Sequence, residues 1–380
     1  MRAFFKILAA ILALLVWSGE DPRMDAASSI SPDGGTVPAR RSSMLSASEY
    51  VAGIKAGDRS ILARAITLIE STSRQHEALA QDVLEQVLPL TGKAKRIGIT
   101  GVPGVGKSTF IEAFGSSLTA QGHKLAVLTI DPTSAITGGS ILGDKTRMEK
   151  LSRDPLAFIR PTASGGRSGG VARRTRETIL LCEAAGFDTI IVESVGVGQA
   201  EITLRSMVDY FLVLLLPGAG DELQGMKKGI LEMADAVLIN KADGDNRLRA
   251  EQARAEQSVA LHYSTSADSA WHAEVGLCSA LTGEGLDEAW TTIEKFYALS
   301  GSDGFIAARR REQVLQWLTE EVKWGIEKRF FDDPRVKSRM PLLQEALRRG
   351  TMTVARAART LLNATENNPA GNPSDVEKNT

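Results

Sequence analysis

Seven short apolar runs that alternate with helical stretches predict an α/β protein built on a doubly wound, mostly parallel sheet. Two further observations agree. Several runs are apolar throughout, as strands become when helices cover both faces of a parallel sheet. The first run, Arg96 to Thr100, also passes straight into a glycine-rich loop that opens a helix, the unit such sheets use at their carboxyl edge.

The chain opens with MRAFFKILAAILALLVW, a basic start followed by eleven apolar residues from Ile7 to Trp17. A membrane span needs about 20. The run has the length of an export signal's core, yet no small-x-small cleavage pattern follows Trp17, and Met24 and Met44 offer later starts. It reads as an over-extended start on a cytoplasmic protein that is not exported. Residues 18–45, rich in Ser, Asp, Pro, Gly and Arg, read as disordered linker.

From Ala47 to Leu90 the apolar spacing is helical, with Ile61, Leu62, Ala65, Ile66, Leu68 and Ile69 on one face and Val83, Leu84, Val87 and Leu88 on another. After the Arg96–Thr100 strand, further strands are expected at Lys124–Ile130, Ala157–Ile159, Thr189–Val192, Phe211–Leu216, Ala236–Ile239 and Val275–Cys278. Helices are expected near Lys107–Gln121, Arg176–Ala185, Gly225–Met233, Arg247–Val259 and Leu286–Phe296. Beyond Ser300 a long amphipathic helix runs from Ala307 to Lys328, and two short helices follow Pro341, split by Gly350. The expected organisation is leader and linker over residues 1–45, helices over 46–92, the sheet domain over 93–300, a helical arm over 301–362 and a disordered tail over 363–380.

A net charge of −1 gives no field that would draw the whole molecule onto nucleic acid or an acidic membrane. Arg309-Arg310-Arg311 reads as a solvated helix start. The two cysteines, Cys182 and Cys278, lie in apolar stretches and read as buried thiols. The four histidines show no metal-ligand spacing.

The chemistry sits at three places. Gly101-Val102-Pro103-Gly104-Val105-Gly106-Lys107-Ser108-Thr109 matches GxxxxGK(S/T) between a strand and a helix. Its glycines let backbone N–H groups surround phosphate, Lys107 brings positive charge to the β and γ oxygens, and Ser108 offers a hydroxyl to Mg²⁺. Asn240-Lys241-Ala242-Asp243 follows a strand, where a base reader belongs. Guanine presents N1–H and an exocyclic amine, and the Asp243 carboxylate accepts from both; adenine offers neither. Ser279, Ala280 and Leu281, at the end of the last strand, could support the guanine oxygen. The pattern predicts a Mg²⁺-dependent P-loop GTPase that binds GTP and GDP.

Three carboxylates, Asp131, Asp144 and Glu193, end strands or lie in glycine-rich loops, and should converge beside the phosphates as direct or water-mediated Mg²⁺ ligands. Glu193 stands where Asp is usual. Two glycine-rich segments follow strands. Ser194 to Gln199 is placed to sense a γ-phosphate, with Gln199 a weak candidate for positioning water. Pro217 to Gly229 carries Asp221, Glu222, Gln224, Lys227 and Lys228, within reach of the nucleotide edge or a partner, or simply solvated.

Taken in order, GVPGVGKST, DPTSAITGGSILGDKTRM, VESVGVGQAE, GAGDELQGMKKGILE, NKAD and CSALTGEGL resemble the MeaB/MMAA (ArgK-type) GTPases over roughly Ala47 to Leu362. The resemblance implies a G-protein chaperone of an adenosylcobalamin-dependent mutase, methylmalonyl-CoA mutase or a related acyl-CoA mutase. Such a protein gates loading of the cofactor and helps rescue the inactivated mutase; adenosylcobalamin would concern this chain only through that partner. It further implies that Asp131 and Asp144 lie in switch I, Glu193 to Gln199 in switch II, and Asp221 to Lys228 in a third switch facing the mutase. The C-terminal helices would build a homodimer. Ser194 stands where the family often has Thr, Met226 where Ile is common, and the apolar leader has no counterpart. Two alternatives remain: a transport-associated ATPase or kinase of the lysine/arginine/ornithine type, against which Asp243 argues, and a nickel-insertion GTPase, whose usual His-rich or Cys/His ligands are missing from the sequence.

Overall fold

Ser46 begins the first helix with a reciprocal capping box: its hydroxyl accepts from the Glu49 amide while the Glu49 carboxylate accepts from the Ser46 amide. The computed structural model describes residues 44–71, 73–130, 148–162, 168–194, 200–218, 228–264, 271–302 and 304–365. Helices α1 (Ala47–Lys55), α2 (Arg59–Glu70) and α3 (Arg74–Val87) come first. The turn at Gly57-Asp58 separates the first two, and Asp58 caps α2 by accepting from the Ser60 and Ile61 amides.

Strands β1 (Lys95–Gly101), β2 (Leu125–Ile130), β3 (Ala157–Thr162), β4 (Thr189–Ser194), β5 (Tyr210–Leu215), β6 (Ala236–Ile239) and β7 (Glu274–Leu277) form one parallel sheet in the order β3-β2-β4-β1-β5-β6-β7. Between them run α4 (Lys107–Ala120), α5 (Glu149–Arg153), α6 (Ser168–Ala184), α7 (Ala200–Arg205), α8 (Lys228–Glu232) and α9 (Arg247–Ser264). After the sheet come α10 (Leu286–Ser302), α11 (Phe305–Asp332), α12 (Pro334–Arg348) and α13 (Val354–Asn363).

The period of two in each strand divides the core between the two faces. Leu125, Val127, Ile97, Ile99, Ile191, Leu212 and Leu214 join Phe110, Phe114 and Leu118 of α4 and Trp290, Ile293 and Phe296 of α10 on one face. Ala126, Leu128, Ile190, Val192, Phe211 and Val213 join Tyr50, Ile54, Leu62, Ile66 and Val83 of the N-terminal helices on the other. Burying each large side chain contributes about 1.5–3 kcal/mol relative to exposure. With both faces covered, β2, β4, β5 and β6 are buried along their whole length. Chain order reverses around β1: the chain leaves it for β2 and β3 on one side, returns to β4, and crosses to β5 on the other. The crevice at the carboxyl end of β1 is where open sheets of this kind take ligands.

Three expectations need correction. Helix α6 begins at Ser168, eight residues before Arg176, because its first residues are small and carry no apolar stripe to announce it. Pro341 lies inside α12 rather than before it. The stronger start signal is Asp333-Pro334, where the Asp333 carboxylate accepts from the Arg335 amide and Pro334 takes a position that needs no donor. Arg309 and Arg310 are not solvated. Arg310 donates from Nε and Nη2 to the fully buried Asp209 carboxylate at 2.7 and 2.6 Å, and Arg309 pairs with Asp235 at 3.3 Å. Of the three arginines only Arg311 is exposed. On α11 itself, Trp317 lies under Arg176 of α6 at 5.7 Å, and Trp324 meets Arg173 of α6 at 5.0 Å and Lys328 of α11 at 4.9 Å. Val314, Leu315, Leu318, Val322 and Ile326 remain 52–64% exposed along α11.

Both cysteines are buried and free, as expected. No helix among the described residues is long and apolar enough to cross a membrane.

Candidate functional site

The phosphate loop leaves β1 at Gly101, whose φ is +155° and whose added Cβ would stand 2.5 Å from the Leu214 carbonyl oxygen. Only glycine fits there. At the far end Gly106, at φ +92°, turns the chain into α4, and its missing side chain leaves room for the Asn240 amide. Lys107 is the first residue of α4 and curls back over the loop, donating to the Gly101 and Val102 carbonyls at 2.8 and 3.3 Å. Burial holds its ammonium below the ordinary lysine range, against the opposing pull of Glu193 and Glu201. Pro103, Gly104 and Thr109 are exposed, whereas Val105 is buried as the loop's anchor.

Behind Lys107, Ser108 donates its hydroxyl to Glu193 Oε1 at 3.3 Å. Ser108 sits in the first turn of α4 and Glu193, 8% exposed, is the penultimate residue of β4. One hydroxyl and one carboxylate at the positive end of a fourteen-residue helix make an all-oxygen donor pair, which suits a hard cation such as Mg²⁺.

The base side is built by two loops that lock together. Asn240, 1% exposed, donates from Nδ2 to the Val105 carbonyl at 2.8 Å and accepts at Oδ1 from the Ala280 amide at 3.2 Å and the Cys278 thiol at 3.6 Å. Burial pushes that thiol up to about 12, so it stays a neutral donor. Lys241 adopts φ +59°, the one left-handed non-glycine among the described residues, and donates to the Gly104 carbonyl at 2.9 Å. Asp243 Oδ2 accepts from the Ser279 hydroxyl at 2.5 Å, and the Thr282 amide donates to that same hydroxyl oxygen at 3.2 Å. Asp243, Gly244, Arg247, Thr282, Gly283 and Glu284 line an open cleft beside the carboxylate.

The structure thus brings Gly101 to Ser108, Glu193, Asn240, Lys241, Asp243, Ser279 and Ala280 to one edge of the sheet. Leu281, expected beside the base, is 83% exposed. Asp131, Asp144, Gln199, Asp221, Glu222, Gln224 and Lys227 lie outside the described residues, as does the side chain of Lys228. Ser194, expected to open the γ-phosphate-sensing segment, is the fully buried last residue of β4. Glu201 was missed: it is 2% exposed and close enough to act on Lys107. The signal was present, because Glu201 and the buried Leu204 are three apart on one face of a short helix.

Comparison with known proteins gives a consistent result. The family profile described as "Methylmalonyl Co-A mutase-associated GTPase MeaB" matches residues 62–335. The mouse protein "Methylmalonic aciduria type A homolog, mitochondrial" is 44% identical over 322 residues, covering 82% of this chain and 78% of that protein. The Escherichia coli protein "GTPase ArgK" is 46% identical over 275 residues, covering 72% and 83%. A crystal structure titled as a LAO/AO transport system kinase superposes with a TM-score of 0.66 at 35% identity, over 84% of this chain and 99% of that one.

Proposed function

The chain belongs to the MeaB family of methylmalonyl-CoA mutase-associated GTPases, and from that premise we propose that it hydrolyses GTP to GDP and phosphate and couples the reaction to an adenosylcobalamin-dependent acyl-CoA mutase, methylmalonyl-CoA mutase first among them. The observation that carries the nucleotide part is the Asn240 side chain. It bonds the phosphate loop and the base loop at once, so it fixes the span between a phosphate cradle and a carboxylate acceptor. That acceptor favours guanine over adenine, and a site whose buried partner is lost rejects the wrong ligand by up to about 10⁴–10⁵-fold.

In the hydrolysis, water oxygen bonds to the γ-phosphorus and its proton leaves with the released phosphate, while the bond to the β–γ bridging oxygen breaks and its electron pair passes to the β-phosphate of GDP. Lys107 and the amides at the start of α4 face that growing charge. Ser108 and Glu193 would hold Mg²⁺, with Asp131 and Asp144 as further candidates, and the bound ion supplies positive charge to the phosphate oxygens. Gln199 is the candidate for orienting the water. The reading is of slow intrinsic turnover, accelerated when the mutase orders the loops that carry Asp221 to Lys228.

The family description, which names methylmalonyl-CoA mutase, supports the mutase as partner. The test is GTP and ATP hydrolysis with and without purified mutase. We expect GTP alone to be turned over, and mutase to accelerate it. The double variant Gln224→Ala/Lys227→Ala should keep its basal rate and lose most of the acceleration. Acceleration that survives in it would move the coupling to Ser194–Gln199; equal use of ATP would favour the transport-type kinase.

The exposed stripe Val314, Leu315, Leu318, Val322 and Ile326 supports a homodimer through α11, since five large apolar side chains on one helix ask for a cover. Leu318→Glu is expected to sediment as a monomer with nucleotide binding intact. A parent that is already monomeric at micromolar concentration would end this reading.

A further inference from the structure

We propose that Thr100 and Ser194 form a positioning pair, in which a buried hydroxyl–hydroxyl bond holds the end of β4, and with it Glu193, in register with the phosphate loop. The proposal rests on the GTPase reading above.

The ladder between β1 and β4 runs from Lys95↔Thr189 to Ile99↔Glu193 and ends there. β1 continues for two residues, but paired to β5 through Thr100↔Val213 and Gly101↔Leu214. β4 continues for one residue, paired to β2 through Ile130↔Ser194. Backbone pairing between the two strands therefore stops just where the phosphate loop and the Glu193 segment leave the sheet.

At that point the Ser194 hydroxyl donates to Thr100 Oγ1 at 2.9 Å. The two residues are 0% and 1% exposed, so no bulk water competes. The side-chain bond carries the cross-strand tie one residue beyond the ladder.

Alternation along the strands sets its direction. Ile191 lies in the core on the α4 face, and Glu193, two residues on, points the same way toward Ser108. Val192 lies in the core on the opposite face, as then does Ser194. The pair grips β4 from behind while Glu193 meets Ser108 in front. A catalytic group displaced by about 1 Å can lose roughly 10²-fold in rate, so a tie one residue from Glu193 has leverage on the chemistry.

The experiment uses the full chain and four variants: Ser194→Ala, Thr100→Val, the double variant, and Ser194→Thr. Three quantities are measured: affinity for a fluorescent GDP without Mg²⁺, the Mg²⁺ concentration that half-saturates the GDP-bound protein, and single-turnover GTP hydrolysis. Each single variant is expected to raise the Mg²⁺ half-saturation and slow hydrolysis by about tenfold, with Mg²⁺-free GDP affinity unchanged. The double variant should be no better than either, and Ser194→Thr, which keeps the hydroxyl, should return to parental values.

A purely structural bond behaves differently. Removing both hydroxyls relieves the unpaired buried group that each single change leaves, so the double variant would recover. Recovery in the double variant, or a parental Ser194→Ala, overturns the pair while leaving the GTPase reading intact. A parent that does not hydrolyse GTP overturns both. Should Thr100→Val lose Mg²⁺-free GDP binding, the comparison of Ser194→Ala with Ser194→Thr decides alone.

Discussion

Lys107→Ala is expected to lower affinity for GDP and GTP by at least about 10²-fold and hydrolysis by roughly 10³-fold, because it removes a buried positive charge aimed at the phosphates. Glu193→Ala should cost as much in hydrolysis for another reason. Its carboxylate meets Ser108 rather than the loop carbonyls that Lys107 spans, so guanine nucleotide should still bind when Mg²⁺ is withheld. Measuring GDP affinity in chelator and again in Mg²⁺ separates the two. Lys107→Ala should be weak in both conditions, Glu193→Ala only where Mg²⁺ contributes. Equal losses in chelator would show that both residues act on the phosphates directly, and the division of labour proposed here would be wrong.

The phosphate loop is legible in the sequence alone. Glycines at fixed offsets followed by Lys107 and Ser108 name their own geometry, because Gly101 and Gly106 occupy backbone positions that side chains cannot share. Strands buried on both faces announce themselves as unbroken apolar runs, and β6 was placed to the residue at Ala236–Ile239. What escaped was whatever depends on partners distant in sequence. Arg310 looked like a surface charge because Asp209, about a hundred residues away, gives no local sign that it will be buried beneath it. Likewise, nothing near Trp317 or Trp324 in the sequence shows that arginines of α6, about 140 to 150 residues earlier, come to lie over their rings.

Asn240 shows the same limit within the site. As part of a tetrapeptide it reads as a base contact. In the fold one Nδ2 hydrogen goes to Val105 and Oδ1 accepts from Ala280 and Cys278, so the side chain also braces two loops. Thr100 belongs to no motif, and the motif that holds Ser194 says nothing of a partner on β1. Their pairing follows from which strands are neighbours and where a ladder stops, and that is a property of topology rather than of either residue.

Asp243 gives the sharpest test of the proposed substrate. Asp243→Asn is expected to weaken GTP binding by at least about 10²-fold and to turn preference toward xanthosine triphosphate. The Ser279 hydroxyl explains the direction. It receives the Thr282 amide and gives its own proton to Asp243 Oδ2, so it demands an acceptor on that side of residue 243. In the variant the amide oxygen meets that demand and Nδ2 takes the other position. Nδ2 is a donor, and guanine presents donors at both N1 and its exocyclic amine, so donor faces donor and a charge-assisted pair is lost. Xanthine carries a carbonyl at the same carbon, and that oxygen accepts from Nδ2 while N1–H still finds the amide oxygen. Competition of GTP and xanthosine triphosphate against a fluorescent nucleotide measures both effects at once. Parental GTP affinity in the variant would mean that Asp243 does not read the base, and would remove the argument against the transport-type kinase.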